Sequence, residues 1–187
     1  MDELAGIAAD AAVGDPLAAA ALVRATQSDV WRLCAALGDR DAADDLTQET
    51  YLRAFAGLHR FEGRSAVRTW LLGIARRVCA DAVRSRRRRR LSLVREEREL
   101  EVLAPAPATD PVGEGAAVAD LLARLDADRR EAFVLTQLLG LTYAEAAEVV
   151  GCPVGTIRSR VARARADLVD SLGGVTSLPD QGDARRS

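Results

Sequence analysis

Residues 141–168, LTYAEAAEVVGCPVGTIRSRVARARADL, constrain what this chain can fold into more than any other stretch. Thr142 and Glu145 stand three apart at the start of an apolar run, the spacing of a capping box that satisfies two free amide donors at a helix start. A helix over 143–150 then meets Gly151, the residue that takes a positive φ without a steric cost. Ala147, four residues before that glycine, is small enough for a second helix to cross closely. Ile157, six residues after it, plugs the angle between the helices, and Pro153 starts the second helix. A small residue, a glycine and a β-branched apolar residue at these offsets predict a helix-turn-helix. In the second helix Ile157, Val161, Ala164 and Leu168 form the inner stripe, while Arg158, Ser159 and Arg163 project elsewhere, with Arg160 and Arg165 nearer the side. A helix of about 15 residues is roughly 22 Å long, a rod that the major groove of DNA admits. Its arginines suit guanine edges and phosphates. The competing reading is a packing element with a solvated arginine face; against it stands the expectation that no acids pair with the arginines between Pro153 and Ala166.

Charge supports a polyanionic partner once it is read along the chain. The net charge is only −2, but residues 1–60 hold ten acids and five Arg (−5), and residues 61–90 hold ten Arg against Glu62 and Asp81 (+8). Residues 91–130 return to −4, with nine acids and five Arg. A basic stripe between acidic blocks implies one surface for a polyanion and another for a basic partner. Every cation is Arg, which excludes a phosphate-binding loop of the GxxxxGK[ST] type. Three well-separated cysteines (Cys34, Cys79, Cys152) and one histidine (His59) cannot assemble a zinc site from Cys and His, so neither metal nor cofactor is expected and no catalytic residue is nominated. The acidic start Met1-Asp2-Glu3 is unlike a signal peptide, and no apolar run approaches the roughly 20 residues of a membrane span. The expectation is a cytoplasmic protein that is not an enzyme.

Hydrophobic residues make up 49% of the chain with only seven aromatics, and Ala-rich strings favour helix, so the fold class predicted is all-α. Asp15 followed by Pro16 is an N-cap and first-turn signal for a helix running to Gly38-Asp39. A second helix begins near 41–44 and is read as carrying Leu46, Tyr51, Leu52 and Phe55 inward to Gly57. After a short loop at 61–65, Ser65 is read as capping a long helix whose Trp70, Leu71, Ile74 and Val78 share an apolar face. Arg68, Arg76, Arg77, Arg84 and the run 86–90 lie on its other side and far end. Spacing leaves Trp70 as either core or a base-stacking platform. The stretch after Arg90, with APAPATDP, GEG and six acids, reads as a linker. The organisation expected is therefore two small helical domains, 10–90 and 118–172, an acidic linker at 91–117 and a disordered tail at 173–187. On a helix, Asp45, Gln48, Glu49 and Leu52 share one side, either ordinary surface charge or a docking face for a basic helix.

At these residues the chain resembles the extracytoplasmic-function (group IV) members of the sigma-70 family. DDLTQETYLRAF looks like region 2.2, FEGRSAVRTWLLGIARRVCAD like regions 2.3 and 2.4, and residues 141–168 like region 4.2. The three blocks come in family order, and together they are highly specific. The resemblance implies a factor that binds core RNA polymerase (its β′ and β subunits), directs it to promoters and helps open the DNA. It implies core-polymerase contacts at Asp45, Gln48, Glu49 and Arg53. It implies −10 contacts at Phe61, Gly63, Arg64, Ser65, Arg68, Arg76, Arg77 and Arg84, and −35 contacts at Thr156, Arg158, Ser159, Arg160 and Arg163. An anti-sigma factor is a further partner known in such families. The alternative is a dimeric helix-turn-helix regulator on a palindrome, against which stands the second basic surface.

Overall fold

The computed structural model describes residues 3–38, 40–96 and 114–173. Four helices build the first module: α1 (Glu3–Ala12), α2 (Pro16–Leu37), α3 (Ala43–Gly57) and α4 (Val67–Glu96). The start of α2 follows the sequence signal, with Asp15 accepting from the Leu17 amide at 2.8 Å and Pro16 in the first turn. Helix α1 was not among the expected elements; it lays Ala8 into the core, with Leu4 and Ile7 packed beside it. Leu22, Val30 and Leu33 of α2 meet Leu46 and Ala54 of α3 and Val67, Leu71, Leu72 and Val78 of α4, all buried. Within this core Thr26 donates its hydroxyl proton to the Leu22 carbonyl at 2.7 Å, which leaves its oxygen to accept from the Tyr51 hydroxyl at 2.8 Å. Both buried hydroxyls are thereby satisfied.

Two sequence expectations are corrected here. Leu52 is 67% exposed and Phe55 36% exposed, so they do not point inward with Leu46 and Tyr51. Residues 46, 50, 51 and 54 already fill the stripe that faces α2 and α4, and position 52 falls on the opposite side of the helix. Ser65 does not cap α4, because the helix starts at Val67 and its first intrahelical bond runs from Trp70 N to the Ala66 carbonyl. At its far end α4 continues to Glu96, six residues into the segment read as linker; residues 97–113 of that segment and the tail from 174 lie outside the described residues.

The second module contains α5 (Glu114–Ala123), α6 (Ala127–Phe133), α7 (Tyr143–Val150) and α8 (Val154–Gly173). Asp126 caps α6 through the Asp128 amide, and after Phe133 the helix widens into a π turn over Val134–Leu138. The helix-turn-helix is built as its residues require. Thr142 and Glu145 form both halves of the capping box, and Gly151 sits at φ 76°. Ala147 is buried at the crossing, and Ile157 is fully buried between the helices. Truncating Ile157 to Ala would open a cavity at a cost of about 2–5 kcal/mol.

The modules close on one another. Helix α4 packs along α7, α2 touches α6 and the π turn, and the buried side chains of both modules form one continuous cluster. That arrangement decides which arginines face solvent.

Candidate nucleic-acid interface

The exposed side of α8 presents Arg158, Ser159 and Arg163, with the Ser159 hydroxyl bonded back to the Thr156 carbonyl at 3.0 Å. Neither Arg158 nor Arg163 has an acidic partner among the described residues. These three side chains project from one turn and a half of helix whose other face is anchored by Ile157, Val161 and Ala164, so they are held by a rigid element. Thr156 is half-buried in the first turn. Arg160 is different: it forms an ion pair with Asp128 of α6 and is less exposed than its neighbours. The reading that no acid meets the arginines of this helix fails at that position, because the partner comes from another helix 32 residues away. Arg165 similarly donates to the Gln137 side chain at 2.7 Å.

The second arginine set divides. Arg77 and Arg84 are exposed on α4, Arg84 bonding Asp81 one turn back, and Arg86–Arg90 continue along the exposed far end. Arg68 and Arg76 instead face the other module. Arg68 donates from Nε to Asp29 at 2.7 Å and from its terminal nitrogen to the Leu139 carbonyl at 2.5 Å. Arg76 grips Glu131 with two bonds, 2.5 and 3.3 Å, and the Glu131 side chain is only 11% exposed. Two of the eight residues expected at the −10 element are thus engaged in a clasp between modules in this closed form. Bidentate Arg–carboxylate pairing of this kind is among the stronger polar contacts a protein makes.

Ahead of α4 the loop at 61–65 turns through Gly63 at φ 69°, leaving Gly63 and Arg64 exposed, with Arg64 paired to Glu62. Phe61 and Trp70 pack with ring centroids 5.0 Å apart, both half-buried, so Trp70 is a wall of the loop rather than a free platform. Ser65 is half-buried at the loop's end.

The acidic face of α3 is real. Asp45 and Gln48 are exposed, Glu49 is half-buried beside them, and Leu52 adds an exposed apolar side chain to the same face. Arg53 is tied down at the rim, bonding Glu49 at 2.7 Å and Asp81 of α4 at 2.9 Å. Arg53 and Arg84 hold the Asp81 carboxyl below its ordinary range. The sequence places Leu52 both among the inward residues and on the side shared with Asp45, Gln48 and Glu49; the structure agrees with the second placement, which its i+3 and i+7 spacing from Glu49 and Asp45 signals.

Comparison with known proteins matches this geometry. Residues 22–89 match the family model for sigma-70 region 2 and residues 115–168 that for sigma-70 region 4, so the chain belongs to the sigma-70 family. Within that family it is a member of the extracytoplasmic-function RNA polymerase sigma factors. The sigma factor SigC of Mycobacterium tuberculosis is 49% identical over 170 residues, 90% of each chain, and EcfG of Rhodopseudomonas palustris is 38% identical over 131 residues, 70% of this chain and 71% of its own. Among solved structures, CnrH in complex with the cytosolic domain of CnrY is similar with a TM-score of 0.69 at 31% identity, covering 90% of this chain and 96% of that one. The sigma factor RpoE in complex with the anti-sigma factor NepR from Bartonella quintana gives 0.63 at 31%, covering 81% and 94%. No described helix is long and apolar enough to cross a membrane.

Proposed function

We infer that this chain directs core RNA polymerase to promoters through two separate grips, α8 on the −35 element and the loop 61–65 with α4 on the −10 element. The observation that carries the reading is the face of α8, where Arg158, Ser159 and Arg163 stand exposed on a rigid helix with no acid among the described residues to neutralise the two arginines. Arg158 and Arg163 offer bidentate donors to guanine edges or phosphates. Thr156 and Arg160 flank them, Arg160 exchanging Asp128 for phosphate when DNA is present.

Strand opening is assigned to the first module. Melting costs about 1.4 kcal/mol per base-pair step in lost stacking, and no nucleotide-binding motif is on hand to drive it. Binding energy does so: a base leaving the stack is taken at the loop of Phe61, Gly63, Arg64 and Ser65. Arg77 and Arg84 hold the adjacent phosphates, joined by Arg68 and Arg76 once these leave Leu139 and Glu131. The modules must therefore part before the −10 grip is complete. Asp45, Gln48, Glu49 and Leu52 form the face that docks on the polymerase, with Arg53 holding Glu49 in place, and the domain limits proposed are 10–90 and 118–172. A protein that recognises this sigma factor and occupies both modules, as an anti-sigma factor would, acts on the same opening.

Run-off transcription on a promoter library with purified core polymerase tests the reading. Defined start sites that depend on the added chain support it; transcription indistinguishable from core polymerase alone would remove it.

A further inference from the structure

Where the two modules meet, a cleft of about 500 Å³ opens to solvent. Three elements build it: α2 contributes Trp31, Ala35 and Ala36, α5 contributes Val118 and Leu122, and the π turn contributes Leu138. Trp31, Val118 and Leu138 converge here, yet each is more than a third exposed. The small side chains of Ala35 and Ala36 leave the space between them unfilled. The Trp31 indole N–H is committed to the Asp44 carboxylate at 2.8 Å, so the ring brings no free donor to the cleft. None of these six residues serves the polymerase face or the DNA grips.

Two arginines supply the charge at this cleft, Arg32 of α2 and Arg40 of the short turn Arg40–Ala42 that follows it. Arg32 pairs loosely with Asp29, 3.9 Å away, and Asp29 is held more closely by Arg68 at 2.7 Å. Arg40 is exposed and has no acidic partner among the described residues. Small-molecule sites favour junctions between modules, apolar walls with a few placed polar groups, and volumes of roughly 300–1,000 Å³. This cleft has all three properties. An amphipathic anion suits it, with its apolar body against Trp31 and Leu138 and its acid group toward Arg32 and Arg40. Guanidinium groups take a carboxylate in bidentate fashion, whereas a cationic head in the same place is repelled.

We propose that this cleft is a binding site for a small amphipathic monocarboxylate, of the class of medium-chain fatty acids, that holds the two modules together. Helix α2 lies in one module, and α5 and the π turn in the other, so the site is complete only while the modules are closed. A ligand that binds the closed form alone shifts the balance toward it. By reciprocity, whatever parts the modules weakens the ligand. On the promoter reading above, an occupied cleft delays the parting that frees Arg68 and Arg76; the binding itself does not rest on that reading.

Isothermal titration calorimetry of the full chain with octanoate, nonanoate and decanoate, each below its micellar concentration, tests the site. Burial of the chain in the cleft should tighten binding roughly fourfold per added methylene. Decanol should bind more weakly than decanoate, and decyltrimethylammonium should not bind. Arg32→Gln combined with Arg40→Gln should weaken decanoate roughly tenfold or more and leave decanol unchanged. Ala35→Phe, which fills the cleft, should abolish both. Glu131→Ala, which acts through the clasp and not through the cleft, should weaken decanoate, and circular dichroism checks that every variant is helical. The proposal is overturned if decanoate does not bind, if the three acids bind equally, if the cation binds as well as the acid, or if a folded Ala35→Phe chain still binds decanoate. It is equally overturned if a Glu131→Ala chain that scattering shows to be parted binds decanoate as tightly as the wild type. Run-off transcription is measured on the unliganded chain, so failure of the cleft and failure of the promoter reading are told apart.

Discussion

Replacing Glu131 with Ala should release the closed form. The Glu131 side chain is 11% exposed and its partner Arg76 30% exposed, so the two bonds between them are partly sheltered from water. A hydrogen bond to a charged group contributes about 1.5–3 kcal/mol. Removing the acid does not strand a charge fully, because Arg76 can swing to solvent, so the penalty on the closed form is about 2 kcal/mol rather than the larger figure for a deeply buried pair. That shifts the balance between closed and parted modules by roughly 30-fold. The parted form exposes Arg76, and Arg68 follows when Leu139 withdraws. A promoter fragment spanning both elements should then bind the free variant more tightly by up to roughly 30-fold, the ceiling being reached if the closed form dominates the wild type. Fluorescence anisotropy at fixed low salt measures this, small-angle scattering reports the larger radius, and far-ultraviolet circular dichroism checks that both modules remain helical. The Glu131→Gln variant keeps one acceptor for Arg76 and should fall between. An Ala variant that is helical, as compact as the wild type and no better at binding DNA would refute the reasoning.

Arg163→Ala should cost about 1–3 kcal/mol at one −35 position and little at others; equal loss on every sequence in a competition assay would make Arg163 a phosphate contact only. Reversing charge at Asp45 and Glu49 together should weaken pull-down of core polymerase while leaving the thermal midpoint nearly unchanged, since Asp45 is exposed and Glu49 loses only its bond to Arg53. The Thr142 hydroxyl and backbone hold the Glu145 carboxyl below its ordinary 4.5. A depressed folded value stabilises the fold above the unfolded pKa and is lost as pH falls through the folded one. Glu145→Gln should therefore be the less stable protein at neutral pH, with the difference shrinking below about pH 4.5 in melting experiments.

What could be read from the sequence was what short spacing determines. The capping box, Gly151 and Ile157 lie within 16 residues of one another, and each does locally what its chemistry requires. The start of α2 at Asp15-Pro16 belongs to the same kind of signal. Non-local partners were hidden. Asp128 reaches Arg160 from 32 residues away and Glu131 reaches Arg76 from 55, and no periodicity within one helix announces such meetings. Leu52 carries two conflicting signals, inward by residue type and outward by its register beside Glu49 and Asp45, and the register decides.

One chain uses both modules together on a promoter, and footprinting with and without core polymerase measures that directly. Adding the chain to core polymerase should protect two segments about two helical turns apart and make bases near −10 reactive to permanganate, with neither signal from the chain alone at the same concentration. Full protection by the chain without polymerase, or protection of a single palindrome by a dimer, would contradict it.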